Sequence, residues 1–196
     1  DNAMFARMLG PTMNYSCGYW KDAETLDEAQ RNKMDLICRK LDLKEGMSVL
    51  DIGCGWGGLS LYMAKEYGVK ITGVTISTEQ LAYAREHDAG HLVNWLLQDY
   101  RSMEGQFDRI VSVGMFEHVG RKNYDIFMKT TKRLLKPSGL FLLHTIGNHG
   151  KAERTLFHVR RGEGTHKTYE TLIALRIQVP LSFTPHKPCM NDKVRY

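Results

Sequence analysis

The stretch VLDIGCGWGGLSLYMAKEYG, residues 49–68, constrains the fold more than any other part of the chain. A short apolar run ends in an aspartate. A turn with glycine at 53, 55, 57 and 58 follows, and then a pattern with Leu59, Tyr62, Met63 and Tyr67 on one helical face. A strand that feeds at once into an amphipathic helix has to bury that helix against its own sheet, which makes a crossover unit. Gly68 closes the helix.

The same alternation recurs up to Gly147. A helix is expected over 24–43, opened by a capping box of Thr25 and Glu28, with Met34, Ile37, Cys38 and Leu41 on one face. Strands are expected at 47–53, 70–76, 93–98, 109–113 and 140–146. Helices fall between them at 77–87, with a second possible box of Ser77 and Gln80, and at 122–139. The last keeps Tyr124, Phe127, Met128, Thr131 and Leu135 in register and is ended by Pro137 and Gly139. This is an α/β pattern: a parallel sheet with helices on both faces. Residues 1–150 read as one core preceded by a helical cap over about 1–45, which suits a chain of 196 residues.

Residues 151–196 depart from it. They hold three of the five prolines and show no clear period, with a helix turn and a strand the best reading of 169–183. They carry 9 basic against 4 acidic side chains, while residues 1–150 balance 18 against 18, so the formal net charge of +5 sits in this tail. Such a charge suits contact with nucleic acid or anionic lipid, or simply a solvated chain end. Nothing interleaves arginine with aromatics in the manner of a nucleic-acid surface. No run of 18 apolar residues occurs, and the start, lacking both Met and a secretory signal, reads as trimmed. Cys17, Cys38, Cys54 and Cys189 show no C-x-x-C spacing, so no metal site is indicated, and the usage suits a reducing, cytoplasmic compartment.

Parallel sheets bind ligands beyond the carboxyl ends of their strands. The informative positions are then 51–58, 75–80, 98–100, 114–118 and 144–146. The glycine turn invites close backbone approach by a nucleotide-type cofactor. A dinucleotide requires an acidic residue at the end of the second strand, yet that strand ends at Thr75. Asp51, directly before the turn, suits S-adenosylmethionine better, because that ligand carries an ammonium and a sulfonium but no phosphate. Asp51 is therefore expected to order the turn and attract the cationic amino-acid end.

The segments MNYSCGYWKDAETLDEAQ, VLDIGCGWGGLSLYMAKEYGVKITGVTIS, QDYRSMEGQFDRIVSVGMFEHVG, KNYDIF and LKPSGLFLLHTIG together resemble the cyclopropane fatty acid synthases. The resemblance covers about residues 1–147 and not the tail. It implies a Rossmann-like class I methyltransferase fold. It also implies methylene transfer from S-adenosylmethionine to the cis double bond of an unsaturated phospholipid at the inner membrane surface, and it admits a homodimer. The implied cofactor ligands are Tyr15, Ser16, Asp51, Gly53, Cys54, Gly55, Trp56, Gly57, Gly58, Thr75, Ser77, Gln80, Gln98, Asp99 and Tyr100. The family also uses bicarbonate as its base, and the matching ligands are Cys17, Glu117, His144 and the backbone around Ile146. The family's further tyrosine ligand has no match here.

The implied chemistry adds a sulfonium methyl to a weak carbon nucleophile. It then removes a proton so that the ring closes, with water kept out. Tyr15, Tyr19, Trp20 and Phe116 are candidates for facing the developing cation, or are ordinary core aromatics. His118 reads as a supporting rim residue. A related lipid C-methyltransferase that leaves a methyl branch remains open, as does a non-catalytic cofactor- or membrane-binding fragment.

Overall fold

The computed structural model describes residues 2–148 and 168–175. After a short helix α1 (Asn2–Leu9), α2 (Leu26–Lys40) begins on the expected capping box: Thr25 Oγ1 accepts the Glu28 amide, and the Glu28 carboxylate accepts the amides of Glu24 and Thr25. Then come β1 (Ser48–Ile52), α3 (Gly58–Tyr67), β2 (Lys70–Thr75), α4 (Thr78–Glu86), β3 (Val93–Leu97), β4 (Phe107–Val113), α5 (Tyr124–Leu134), β5 (Leu135–Asn148) and β6 (Thr168–Leu175).

The sheet order is β3-β2-β1-β4-β5-β6. The first five strands are parallel, and β6 runs antiparallel to β5, pairing Asn148 with Thr168 through to Phe141 with Leu175. Strand order reverses between β1 and β4, so a crevice opens above their carboxyl ends.

Alternation along each strand divides the core into two layers. Val49, Val111 and Leu142 join Met34, Ile37, Cys38, Leu41 and Met63 beneath α2 and α3. Leu50, Ile52, Ile110, Phe141 and Leu143 join Phe127 and Leu134 beneath α5. Strands buried on both faces are expected of a parallel sheet. At the opposite end from the crevice, the Asp108 carboxylate accepts the amide and hydroxyl of Ser48 and the ammonium of Lys136, which ties β1, β4 and β5 together.

Two boundaries differ from the sequence reading. Helix α5 stops at Leu134, and Leu135 is already extended and paired with Phe107 instead of lying on the helix face. The cause is Pro137, which biases Lys136 away from helical geometry. The intervening residues leave a register irregularity before Arg109 pairs with Leu140. The second concerns residues 168–175, where a helix turn was expected at the start of the segment. They form a strand, in keeping with a run rich in threonine, tyrosine and isoleucine. The rest of the tail, including Cys189, lies outside the described residues.

Candidate functional site

The crevice holds a cavity of about 480 Å³. Its floor is the glycine turn. The amides of Gly53 and Cys54 both donate to the Val74 carbonyl, at 2.9 and 3.0 Å, so β2 fixes the turn where β1 ends. Gly53, Gly55 and Gly57 all have φ between 57° and 90°, a region that favours glycine. Gly53, Cys54, Gly55 and Trp56 line the cavity.

Gly57 and Gly58 do not line it; they serve packing. A Cβ on Gly57 would lie 2.5 Å from the Trp95 ring, and one on Gly58 would lie 1.9 Å from the Thr12 carbonyl oxygen. The N-terminal segment therefore lies directly on the start of α3. Trp56 is locked from the same side by Phe5, at a centroid distance of 4.8 Å, and by its indole N–H donating to Asn2 Oδ1.

Asp51 is 2% exposed and lines the cavity. Ser60 Oγ donates to it at 2.7 Å. Burial pushes its carboxyl up to about 6, and the Ser60 hydrogen bond only partly opposes this. On the β2 side, Thr75, Ser77 and Gln80 line the wall. Ser77 caps α4 by accepting the Gln80 amide, but the return half of the expected box is absent. The Gln80 carboxamide oxygen instead accepts the Thr75 hydroxyl at 3.1 Å, which turns the side chain along the wall.

Gln98, Asp99 and Tyr100 also line the cavity. Gln98 Nε2 donates to the Ser102 carbonyl, and Arg101 forks onto Asp99 at 2.9 and 2.6 Å. Those hydrogen bonds hold the Asp99 carboxyl below its ordinary range. Tyr100 meets Phe127 edge-on.

The roof is the segment Met13–Ser16, which α2 holds. Gln30 Nε2 donates to the Ser16 carbonyl at 2.8 Å, and Lys33 Nζ donates to Ser16 Oγ at 2.7 Å. Both side chains are buried, although sequence reasoning passed over them. The clue was present, since Gln30 and Lys33 fall four residues before Met34 and Ile37 on the apolar stripe. Tyr15 lines the cavity; Tyr19, Trp20 and Phe116 do not. Phe116 instead stacks on Tyr124 at 4.3 Å.

Cys17, Glu117, His144 and Ile146 lie outside the cavity lining; Glu117 and Ile146 meet at the adjoining β4–β5 corner, with His144 on β5 beside it. Gly114 joins the two regions. Its amide donates to the His144 carbonyl, and a Cβ on it would lie 3.8 and 3.9 Å from Tyr15 and Ser16 atoms. Glu117 Oε1 accepts the Ile146 amide at 2.7 Å, while Oε2 is buried with no hydrogen-bond partner among the described residues. His144 is buried, and Cys17 is a half-buried thiol. His118 parts company with Glu117 and lines the cavity, so it is nearer the cofactor crevice than a supporting rim role suggests. Among the described residues no group of three or more His, Cys, Asp or Glu could hold a metal ion, and no helix is long and apolar enough to cross a membrane.

Comparisons with known proteins agree with this architecture. The family described as mycolic acid cyclopropane synthetase matches residues 1–168, past the last sequence motif. Cyclopropane-fatty-acyl-phospholipid synthase of Escherichia coli is 62% identical over 147 residues, covering 75% of this chain and 38% of that protein. Cyclopropane mycolic acid synthase 3 of Mycobacterium tuberculosis is 39% identical over 197 residues, covering 96% of this chain and 67% of that one. The crystal structure of mycolic acid cyclopropane synthase CmaA1 complexed with SAH and CTAB superposes with a TM-score of 0.72 at 39% identity, over 76% of this chain and 54% of that one. The chain thus spans well under half the length of the Escherichia coli relative. With its parallel sheet, glycine turn and flanking helices, this chain has the class I methyltransferase fold and belongs to the mycolic acid cyclopropane synthetase family.

Proposed function

We propose that the chain binds S-adenosylmethionine in the crevice and transfers its methyl carbon to the cis double bond of an unsaturated phospholipid acyl chain, closing a cyclopropane ring with bicarbonate as base. The similarity to a cyclopropane-fatty-acyl-phospholipid synthase supports the substrate class. The observation that carries the base assignment is the buried Glu117 Oε2, without a hydrogen-bond partner among the described residues. A buried acceptor of this kind calls for a donor, and the hydroxyl of bicarbonate is one.

When bound, S-adenosylmethionine supplies an electrophilic sulfonium methyl and bicarbonate supplies a base. The residues of the chain do the rest. Asp51 attracts the cationic amino-acid end from the crevice floor. Thr75, Gln80, Gln98, Asp99 and Tyr100 shape the wall, and Tyr15, Ser16 and Trp56 close the crevice against water, as trapping of a carbocation by water must be prevented. Glu117 would take the bicarbonate hydroxyl proton in a hydrogen bond, which removes the repulsion expected between two anions in a dry pocket. His144 would donate to a second oxygen, with Cys17 and the Ile146 backbone completing the wall. The enzyme would work from the cytoplasm at the inner membrane surface, where the basic tail favours anionic lipid.

The test is turnover of methyl-labelled S-adenosylmethionine with unsaturated phospholipid vesicles, with and without bicarbonate. Ring formation that depends on bicarbonate is expected. A branched alkene, or after reduction a saturated product two hydrogens heavier, identifies a methyl-branching enzyme, and cofactor binding without transfer refutes catalysis by this chain.

A further inference from the structure

Glu117 sits on a single turn of 3-10 helix, Phe116–His118, which has no capping side chain among the described residues. The hydrogen-bond geometry of such a turn is poor, so three residues do not hold themselves in place. The carboxylate nonetheless meets the Ile146 amide at 2.7 Å with one oxygen and buries the other. Contacts from outside the turn must fix it. Two of them come from the start of α5. The Phe116 ring stacks on Tyr124, with centroids 4.3 Å apart and planes 24° apart. The Asn123 carboxamide donates to the Val119 carbonyl at 2.9 Å. The turn is therefore gripped on both sides of Glu117, at Phe116 and at Val119.

Helix α5 is a firm base for that grip. Its Phe127 and Leu134 are fully buried beneath the sheet, and Phe127 also meets Phe116 at 5.1 Å. Aromatic pairs prefer particular ring offsets, so a stack fixes orientation as well as distance. We infer that Tyr124, acting through Phe116, and Asn123, acting through Val119, are positioning residues for the Glu117 carboxylate. The inference rests on the reading that Glu117 holds the base. It gives the start of α5, otherwise a packing helix, a part in the chemistry. It also accounts for Phe116, which does not line the crevice: its ring places its neighbour instead of facing a cation. Placement matters here, because a shift of about 1 Å in a reacting group can cost about 100-fold in rate.

The competing role for Tyr124 and Asn123 is general: they would stabilise α5 and the sheet together. The Ile146 amide separates the two roles. It donates directly to Glu117 Oε1, so its exchange reports the place of that carboxylate without any ligand. Amide exchange of the full chain should be followed by NMR in wild type, Tyr124→Phe, Tyr124→Leu and Asn123→Ala. The Gly114 amide, which donates to the His144 carbonyl, and the amides of the β4–β5 ladder serve as references. Tyr124→Leu should speed Ile146 exchange by about tenfold or more relative to those references, as a local opening does. Tyr124→Phe keeps the ring and should match wild type. Asn123→Ala should show the same selective change, and it decides the matter if Tyr124→Leu fails to fold. Turnover by Tyr124→Leu should fall about 10- to 100-fold, with the KM for S-adenosylmethionine within about twofold of wild type. An Ile146 amide as slow as in wild type, or one that quickens only in step with the β4–β5 ladder, would overturn the inference. Selective quickening at Ile146 with level turnover would leave the positioning standing and overturn the reading of Glu117 beneath it.

Discussion

Glu117 Oε1 accepts the backbone N–H of Ile146 at 2.7 Å, while Oε2, on the same carboxylate, is buried without a hydrogen-bond partner among the described residues. One oxygen thus fastens the turn after β4 to β5, and the other is the one the proposed bicarbonate would use. Glu117→Gln preserves the shape, and its carbonyl oxygen can still accept from Ile146. At the second position, however, it replaces an acceptor with a donor. Turnover should fall by about 100-fold or more, the scale of a lost acid–base group. The dissociation constant for S-adenosylmethionine should move less than about threefold on the same scale of effects. Equal loss of binding and turnover would show that Glu117 holds the cofactor instead of the base.

The proposed contact of Asp51 with the cofactor ammonium predicts a pH dependence of binding. Burial raises its carboxyl from an ordinary 3.8 to about 6, so the folded protein disfavours the charged form. For folding alone the sign is a loss of stability as pH climbs from the unfolded value to the folded one. For binding the sign reverses, because only the carboxylate attracts an ammonium. Affinity should be level above about pH 7 and fall about tenfold per unit below 6. Ser60→Ala removes the hydrogen bond that lowers the value, so the midpoint should move upward. Calorimetric titrations between pH 5 and about 8 check this; a midpoint that moves down, or stays, contradicts the assignment.

Gly58 tests the contact between floor and roof. A Cβ there would meet the Thr12 carbonyl oxygen at 1.9 Å, and backbone cannot yield as a side-chain tip can. Gly58→Ala gains helix propensity of about 0.5–1 kcal/mol in isolation. The N-terminal segment must nonetheless lift, carrying Tyr15 and Ser16 with it. Cofactor affinity should drop by more than about tenfold while the melting temperature changes little, since the sheet is not involved. Fluorescence titration and thermal melts measure the two separately.

Asp108 tests the far end of the sheet. The Lys136 ammonium and the amide and hydroxyl of Ser48 hold its carboxyl well below the usual range. A depressed value means that this stabilisation is present above the unfolded carboxylate range and fades as acid protonates the group. Asp108→Asn should destabilise the protein by about 1–3 kcal/mol at neutral pH. The difference from wild type should shrink below about pH 3. Urea melts at both pH values would show it, and cofactor affinity should be unchanged.

Much of this was readable in the sequence because it is local. Strand positions followed from apolar runs, the Thr25–Glu28 box fixed the start of α2, and a glycine turn after Asp51 located the crevice. What escaped depends on distant neighbours. Gly57 and Gly58 resembled ligand-facing glycines, yet Trp95 and Thr12 fill the space above them. Gln80 resembled half of a capping box, but Thr75 draws its side chain away. Leu135 fits the α5 period, yet the proline two residues later ends the helix before it. Lys33 was visible as a charge on an apolar stripe, but its meaning required Ser16, 17 residues away in sequence, to be close in space.

The roof of the crevice hangs from α2 through Gln30 and Lys33, not from the sheet that forms the floor. A local opening that breaks these two contacts would detach residues 14–16 and leave the β-ladder amides closed. In hydrogen exchange, ligand should slow the amides of residues 14–16, while the exchange of β1 and β4 stays as it was.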